Sequence, residues 1–209
     1  MENYQMISVI IPTLWKCSLT LSVLEELSKH ELVSEIILID NSELNININI
    51  PKVKHIKESE NIFVNPAWNK GVSLSTQDKL FIINDGIIFD TSLIDKVYDF
   101  ITEDIGMIGM GSNCFDNNSS LEVSVSATWS RPLGYGCAFF IHKNSYLLIP
   151  DELKIWFGDD WLFRKTRKQN YQFNNHRING QMSLSCSDPK FGQRICEDNI
   201  NWERLMKDE

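Results

Sequence analysis

Three short stretches of nearly unbroken aliphatic residues leave this chain few folds to adopt. Residues 7–11 read Ile-Ser-Val-Ile-Ile, residues 36–39 read Ile-Ile-Leu-Ile, and residues 80–83 read Leu-Phe-Ile-Ile. A strand with one wet face alternates apolar and polar residues. Runs like these instead suit strands covered on both faces, as in a parallel sheet. The intervening segments have helical spacing. Residues 18–30 place Leu19, Val23, Leu24 and Leu27 on one side, and residues 91–101 do the same with Leu93, Ile94, Val97 and Phe100. Residues 66–74 read as a short helix with Asn65 as N-cap and Pro66 at its first position. With strands expected at 7–11, 35–40, 53–56, 79–84 and 105–110, the alternation predicts a three-layer α/β/α sandwich around a mostly parallel sheet.

The second half changes pattern. Residues 116–120 are a polar loop, and residues 122–128 alternate Val123, Val125 and Ala127 with serine and threonine, as a one-sided strand does. Residues 136–142 form another expected strand, 160–169 a helix, and 171–178 and 181–186 short strands. The expectation is a small mixed or antiparallel addition. At 209 residues the chain suits one domain. The change of pattern divides it into about residues 1–111 and about 112–209. The Asn-Ile pairs of residues 44–50 read as a surface loop.

Composition narrows the function classes. The formal net charge of −8 lowers the odds of a nucleic-acid partner, since phosphate binding needs a basic face; the one basic run is residues 164–168. The five scattered cysteines, Cys17, Cys114, Cys137, Cys186 and Cys196, contain no CxxC pair, so buried free thiols are expected rather than disulfides or zinc. No apolar window reaches membrane-spanning length and the N-terminus does not read as a signal peptide. The expected location is the cytoplasm, the host's if the chain is viral.

Ligands of parallel α/β sheets bind beyond the carboxyl ends of the strands. Three such ends are polar here: Pro12-Thr13, Asp40-Asn41 and Asn84-Asp85. In the same order along the chain lie NIFVNPAWNKG at 61–71, KLFIINDGIIFD at 79–90, GYGCAFFIH at 134–142 and GDDWLF at 158–163. Together with ISVIIPT at 7–13 and EIILIDNS at 35–42, these six segments resemble the GT-A fold glycosyltransferases of the large inverting family 2. The likeness spans residues 6 to about 170; the last forty residues contribute no motif.

The resemblance implies an enzyme that moves a sugar from a nucleotide diphosphate sugar, UDP-linked by family habit, to an acceptor hydroxyl on a glycan, protein or small molecule. Pro12, Thr13, Asp40, Asn41, Asn69, Gly71, Asn84 and Asp85 would bind the nucleotide. Asp85 would also hold a divalent cation, Mn²⁺ or Mg²⁺. Asp160 would be the general base, with Asp159 beside it, and Gly136, Trp156 and Trp161 would face the acceptor. Two departures stand out. Phe63 occupies a position where glycine is common. Gly86 replaces a common second acid and offers no oxygen to a hard cation, leaving Asp85 alone or with help from Asp90. His176 is the one histidine near the place of a late metal ligand, and reads better as a strand-surface residue.

Rival classes fare worse. Residues 12–16 lack the glycine-rich loop of a nucleotidyltransferase, and no G-x-G-x-x-G follows an early strand as a dehydrogenase would need. Two alternatives remain. One is a non-catalytic nucleotide-sugar-binding module whose Gly86 records lost metal chemistry, although such a module has no need of Asp159-Asp160. The other is a viral, phage-type glycosyltransferase acting on modified DNA bases. The acidic charge counts against it and the basic run at 164–168 counts for it.

Overall fold

The computed structural model describes residues 5–115, 122–180 and 188–207. The expected loop at 116–120 and strand at 181–186 lie outside them. The elements in order are β1 (Ile7–Thr13), α1 (Thr20–Lys29), β2 (Val33–Asp40), β3 (Val53–Lys57), α2 (Val64–Leu74), β4 (Lys79–Ile83), β5 (Ile87–Phe89), α3 (Ser92–Val97), β6 (Ile108–Met110), β7 (Ser124–Thr128), β8 (Ala138–His142), α4 (Gly158–Lys165), β9 (Asn170–Asn174), β10 (Ile178–Gly180) and α5 (Gly192–Lys207).

Eight strands form one sheet in the order β3-β2-β1-β4-β8-β6-β9-β7. β1 lies parallel between β2 and β4, and β3 extends the parallel set. Every residue of β1 and β4 is buried, the environment that their unbroken aliphatic runs require. Alternate side chains serve opposite faces. Ile7, Val9 and Ile11 pack with Val23, Leu24 and Leu27 of α1 and Leu93, Ile94 and Val97 of α3. Ile10, Leu80 and Ile82 pack with Ala67, Trp68 and Val72 of α2, Leu162 of α4, and Trp202 and Leu205 of α5. The three-layer α/β/α expectation holds.

β8 runs antiparallel to both β4 and β6, with Ala138 opposite Ile83. The segment entering β8, including Gly134 and Gly136, therefore sits at the same sheet edge as the carboxyl ends of β1 and β4. The small addition is a two-stranded antiparallel sheet pairing β5 with β10, so it joins residues just beyond Asp85 to the far end of the chain. β5 was not anticipated, because three residues are too few for a periodic signal.

Several boundaries move. α2 begins at Val64, so Asn65 is no N-cap and Pro66 lies at the third helical position. Proline is tolerated there because first-turn N–H groups have no intrahelical acceptor. The helix expected at 91–101 stops at Val97 and finishes as a 3₁₀ turn. The strand expected at 105–110 shortens to β6, and the helix expected at 160–169 is α4, which starts two residues earlier and ends four sooner. Of the described cysteines all are free, but only Cys17 and Cys114 are buried; Cys196 is exposed. The basic run at 164–168 is partly spent on packing: Arg164 lies over the Trp202 ring, Lys165 over Trp161, and Lys168 reaches Ser145.

Two buried carboxylates hold the frame. Glu35, on β2, accepts from the Ser8 hydroxyl, the Thr76 backbone N–H and hydroxyl, and Lys54. Burial works against its charge, but these donors outweigh burial and hold its pKa down at about 2. Asp198, on α5 and fully buried, accepts from the backbone N–H groups of Lys154, Ile155 and Trp156. The same segment is held from the other side by Asn65, whose side-chain amide donates to the carbonyls of Leu153 and Trp156.

Glu35→Gln should cost about 2–3 kcal/mol in urea unfolding at pH 7, the scale for breaking a buried charged hydrogen-bond network. A carboxylate with a depressed folded pKa stabilises above its unfolded pKa. The advantage of the native protein over the variant should therefore shrink as pH falls from the ordinary Glu value towards about 2. Asp198→Ala leaves the N–H groups of Lys154, Ile155 and Trp156 without this acceptor. It should destabilise by about 2–4 kcal/mol and should open residues 153–157 to limited proteolysis before the sheet unfolds.

Candidate functional site

A cleft of about 490 Å³ opens at the carboxyl ends of β1 and β4. Of the residues expected to bind ligands, Pro12, Thr13, Asn41, Asn84, Asp85, Gly136, Trp156, Asp159 and Asp160 line it. Residues from the two halves of the chain meet there because β8 runs back beside β4.

The floor is built from strand ends. Thr13 ends β1, and its hydroxyl donates to Asp85 Oδ2 at 2.6 Å while accepting from the Trp15 backbone N–H. Asp85 follows β4. Burial pushes its carboxyl above the ordinary range, against the Thr13 hydroxyl and the Leu14 backbone N–H, which favour the charged form. Asn41 ties the β1 and β2 ends to the next loop: its N–H donates to the Thr13 carbonyl and its side-chain oxygen accepts from the Ile62 N–H.

The opposite wall carries the acid pair. Asp159 and Asp160 occupy the first turn of α4, where free backbone N–H groups favour carboxylates. Arg131, on the loop between β7 and β8, binds both. Its Nε donates to Asp160 Oδ1 at 2.7 Å and its Nη1 to Asp159 Oδ2 at 3.0 Å. Burial pushes the Asp159 carboxyl up; Arg131 opposes this and Asp160 adds to it. Gly136 packs directly on Asp159, and a Cβ there would meet the carboxyl carbon at 2.5 Å. The absence of a side chain at Gly136 thus makes room for Asp159.

Two phenylalanines lining the cleft, Phe63 and Phe157, have positive φ (70° and 64°) and stand immediately before α2 and α4. Phe63 combines this φ with ψ 177°, a region otherwise reserved for glycine and costing about 1–3 kcal/mol. The backbone there keeps the conformation that a glycine would supply. The side chain instead packs edge-on against Phe191 and under the Arg194 guanidinium.

Four expected residues lie elsewhere. Asp40 is fully buried beneath the cleft. Burial opposes its charge, yet donors including Ser42 and His55 hold its pKa at about 2. Its oxygens are occupied by the Ser42 N–H, His55 and Lys57. Asn69 faces away on α2, where its side chain binds Ile149 and the Tyr146 hydroxyl. Gly71 is needed for packing, since a Cβ would meet Ile10 at 2.3 Å. The Trp161 indole donates to the Leu148 carbonyl outside the cleft. None of the four lines the cleft.

Among the described residues no cluster of three or more His, Cys, Asp or Glu side chains is placed to hold a metal. Asp90 accepts from the Ser92 N–H at the start of α3 and is exposed, so it does not join Asp85. His176 is buried against Phe89 between β9 and β10, not on a strand surface. One carboxylate, Asp85, is what the cleft floor offers a cation. That fits an ion held largely by a ligand's phosphates and water.

The residues missed from sequence are Arg131, Leu133, Phe157, Phe191 and Asp198. Arg131 stands three residues before the recognised glycine segment, which is the only signal it gives. Phe191 and Asp198 fall in the last forty residues, where no pattern distinguishes them.

No protein-family model matches the chain, and no curated protein matches it by sequence. Solved structures share its fold. TarS of S. aureus (residues 1–349) is 12% identical with a TM-score of 0.56, over 80% of this chain and 60% of that one. GalNAc-T7, solved with UDP, GalNAc and Mn²⁺, is 12% identical with a TM-score of 0.60, over 96% of this chain and 48% of that one. HddC from Yersinia pseudotuberculosis is 15% identical with a TM-score of 0.55, over 92% and 99%. The chain spans about half to three-fifths of the TarS fragment and GalNAc-T7. With a mostly parallel eight-stranded sheet, a small antiparallel sheet and a cleft at the strand ends, the protein has the GT-A fold.

Proposed function

We propose that this protein is a glycosyltransferase that moves a sugar from a nucleotide diphosphate sugar to an acceptor hydroxyl with inversion. The observation that carries the reading is the facing of Asp85 and Thr13, at the strand ends, with Asp159 and Asp160, on α4, across one cleft of about 490 Å³. That volume suits a nucleotide sugar. GalNAc-T7 was solved with UDP and Mn²⁺ and TarS with UDP, which makes UDP the first donor to test.

In this reading the nucleotide lies along Pro12, Thr13, Asn41, Asn84 and Asp85, with Phe63 and Phe191 beside it. The acceptor enters by Gly136 and Trp156. Asp160 takes the hydroxyl proton as the acceptor oxygen bonds to the anomeric carbon. The carbon–oxygen bond to the diphosphate breaks from the opposite face, and the nucleoside diphosphate leaves with the electron pair. A divalent cation bound at Asp85 would supply charge neutralisation to that leaving group. Asp159, packed on Gly136 and held by Arg131, orients the pair.

A second reading, a binding module without catalysis, draws on Gly86 and on the Arg131 contacts that neutralise both acids. Turnover separates the two readings. Asp160→Asn keeps the shape and removes the basicity, so turnover should fall by about 10²–10⁴-fold while donor affinity stays nearly constant. Near-normal turnover moves the base to Asp159; a product of retained configuration rules out single displacement; no turnover by the native protein with any donor favours the binding module.

With one protein carboxylate, Mn²⁺ affinity should depend on the nucleotide. Titration followed by water-proton relaxation should give weak Mn²⁺ binding to the free protein and tighter binding by at least about tenfold when UDP is present, because the diphosphate completes the ligand set. Equally tight binding without nucleotide would reveal ligands other than Asp85.

A further inference from the structure

We propose that Arg131 is the residue that binds and neutralises the diphosphate of the donor. This inference rests on the nucleotide-sugar reading above.

The argument starts from charge. The cleft is lined by three carboxylates, Asp85, Asp159 and Asp160, and among the described residues Arg131 is the one cation lining it. A nucleoside diphosphate carries two to three negative charges of its own, and placing it beside three acids without compensation would be strongly unfavourable. Gly86 cannot help to recruit a metal. Lys16, whose charge acts on Asp85, is paired with Asp188 at 2.6 Å and lies outside the lining. The compensation that the protein itself can give therefore falls to Arg131.

Geometry supports the assignment. Arg131 is about one-third exposed, so its guanidinium is neither sealed in the core nor free in solvent. The acids engage Nε and Nη1, and among the described residues no acceptor is placed on Nη2. Guanidinium presents five N–H donors in a planar fork suited to phosphate oxygens. Its loop carries Trp129, 82% exposed, and Leu133, 76% exposed, and Leu133 also lines the cleft. The cation is thus mounted at the rim and held in place by two acids.

The test measures binding, not activity. UDP, GDP, CDP and TDP are titrated calorimetrically into the native protein in EDTA, and the tightest is carried forward together with its phosphate-free nucleoside. Arg131→Ala should weaken the diphosphate by about 10–100-fold, the worth of one charge-assisted hydrogen-bonded contact, and leave the nucleoside nearly unchanged. Arg131→Lys should recover part of the loss. Unchanged diphosphate affinity in Arg131→Ala would show that Arg131 serves only the two acids and overturn the proposal. Parallel loss of diphosphate and nucleoside would overturn it too, by showing that the substitution distorts the site. A native protein that binds none of the four diphosphates, with or without Mn²⁺, defeats the nucleotide-sugar reading itself.

Discussion

Burial of the central strands on both faces governs everything else in this protein. β1 and β4 are buried along their whole length, so neither face can present a functional polar side chain to solvent. Polar groups are excluded from the layers between sheet and helices, apart from those that pair as Ser8 and Glu35 do. They gather where the strands end and the backbone turns away. Thr13, Asn41, Asn84 and Asp85 are such groups. The reversal of β8 beside β4 brings a glycine-containing turn to the same edge, and α4 adds two acids to it. The cleft is thus a consequence of layering, supplied with chemistry from its rim.

Within that rim Arg131 pairs with two of the three lining carboxylates. Asp159 is pushed up by burial and by Asp160, and both acids lean on Arg131. Asp85, also pushed up by burial, relies on Thr13 and a backbone N–H. Three carboxylates and one guanidinium thus share the site. The rigid parts around it explain how it keeps its shape. Asn65 and Asp198 grip residues 153–156 from α2 and α5, and that segment leads through Trp156 and Phe157 into the acid pair.

Phe63 illustrates how one substitution relative to a familiar pattern is absorbed. The loop before α2 retains a glycine-like backbone, yet the side chain gains contacts with Phe191 and Arg194. Both partners come from the C-terminal part of the chain. The strain at Phe63 is therefore offset by ring and cation contacts across the mouth of the cleft, which ties residues 189–207 to the site.

The parallel core, the layering and most cleft-floor residues were legible because they rest on local periodicity and on strand ends, which one-dimensional patterns encode. Asp159 and Asp160 were legible through the likeness of GDDWLF at 158–163 to a family segment. The sequence alone could not distinguish an acid that faces the cleft from one that lies under it: Asp40 and Asp85 both follow buried strands, but Asp40 is enclosed by His55, Ser42 and Lys57. Nor could it tell that Asn69 binds Ile149 and Tyr146, that Gly71 packs on Ile10 or that Trp161 binds the Leu148 carbonyl, because a helix face acquires its meaning only from what it meets. Arg131 and Asp198 were invisible for the same reason. Each acts on residues 28 to 44 positions away in the chain, through the β8 reversal and the docking of α5. Such pairings cost chain entropy that only the assembled hydrophobic layers can offset. Local sequence determined the strands, the helices and the edge where ligands must bind; tertiary packing decided which side chains reach that edge and with what charge.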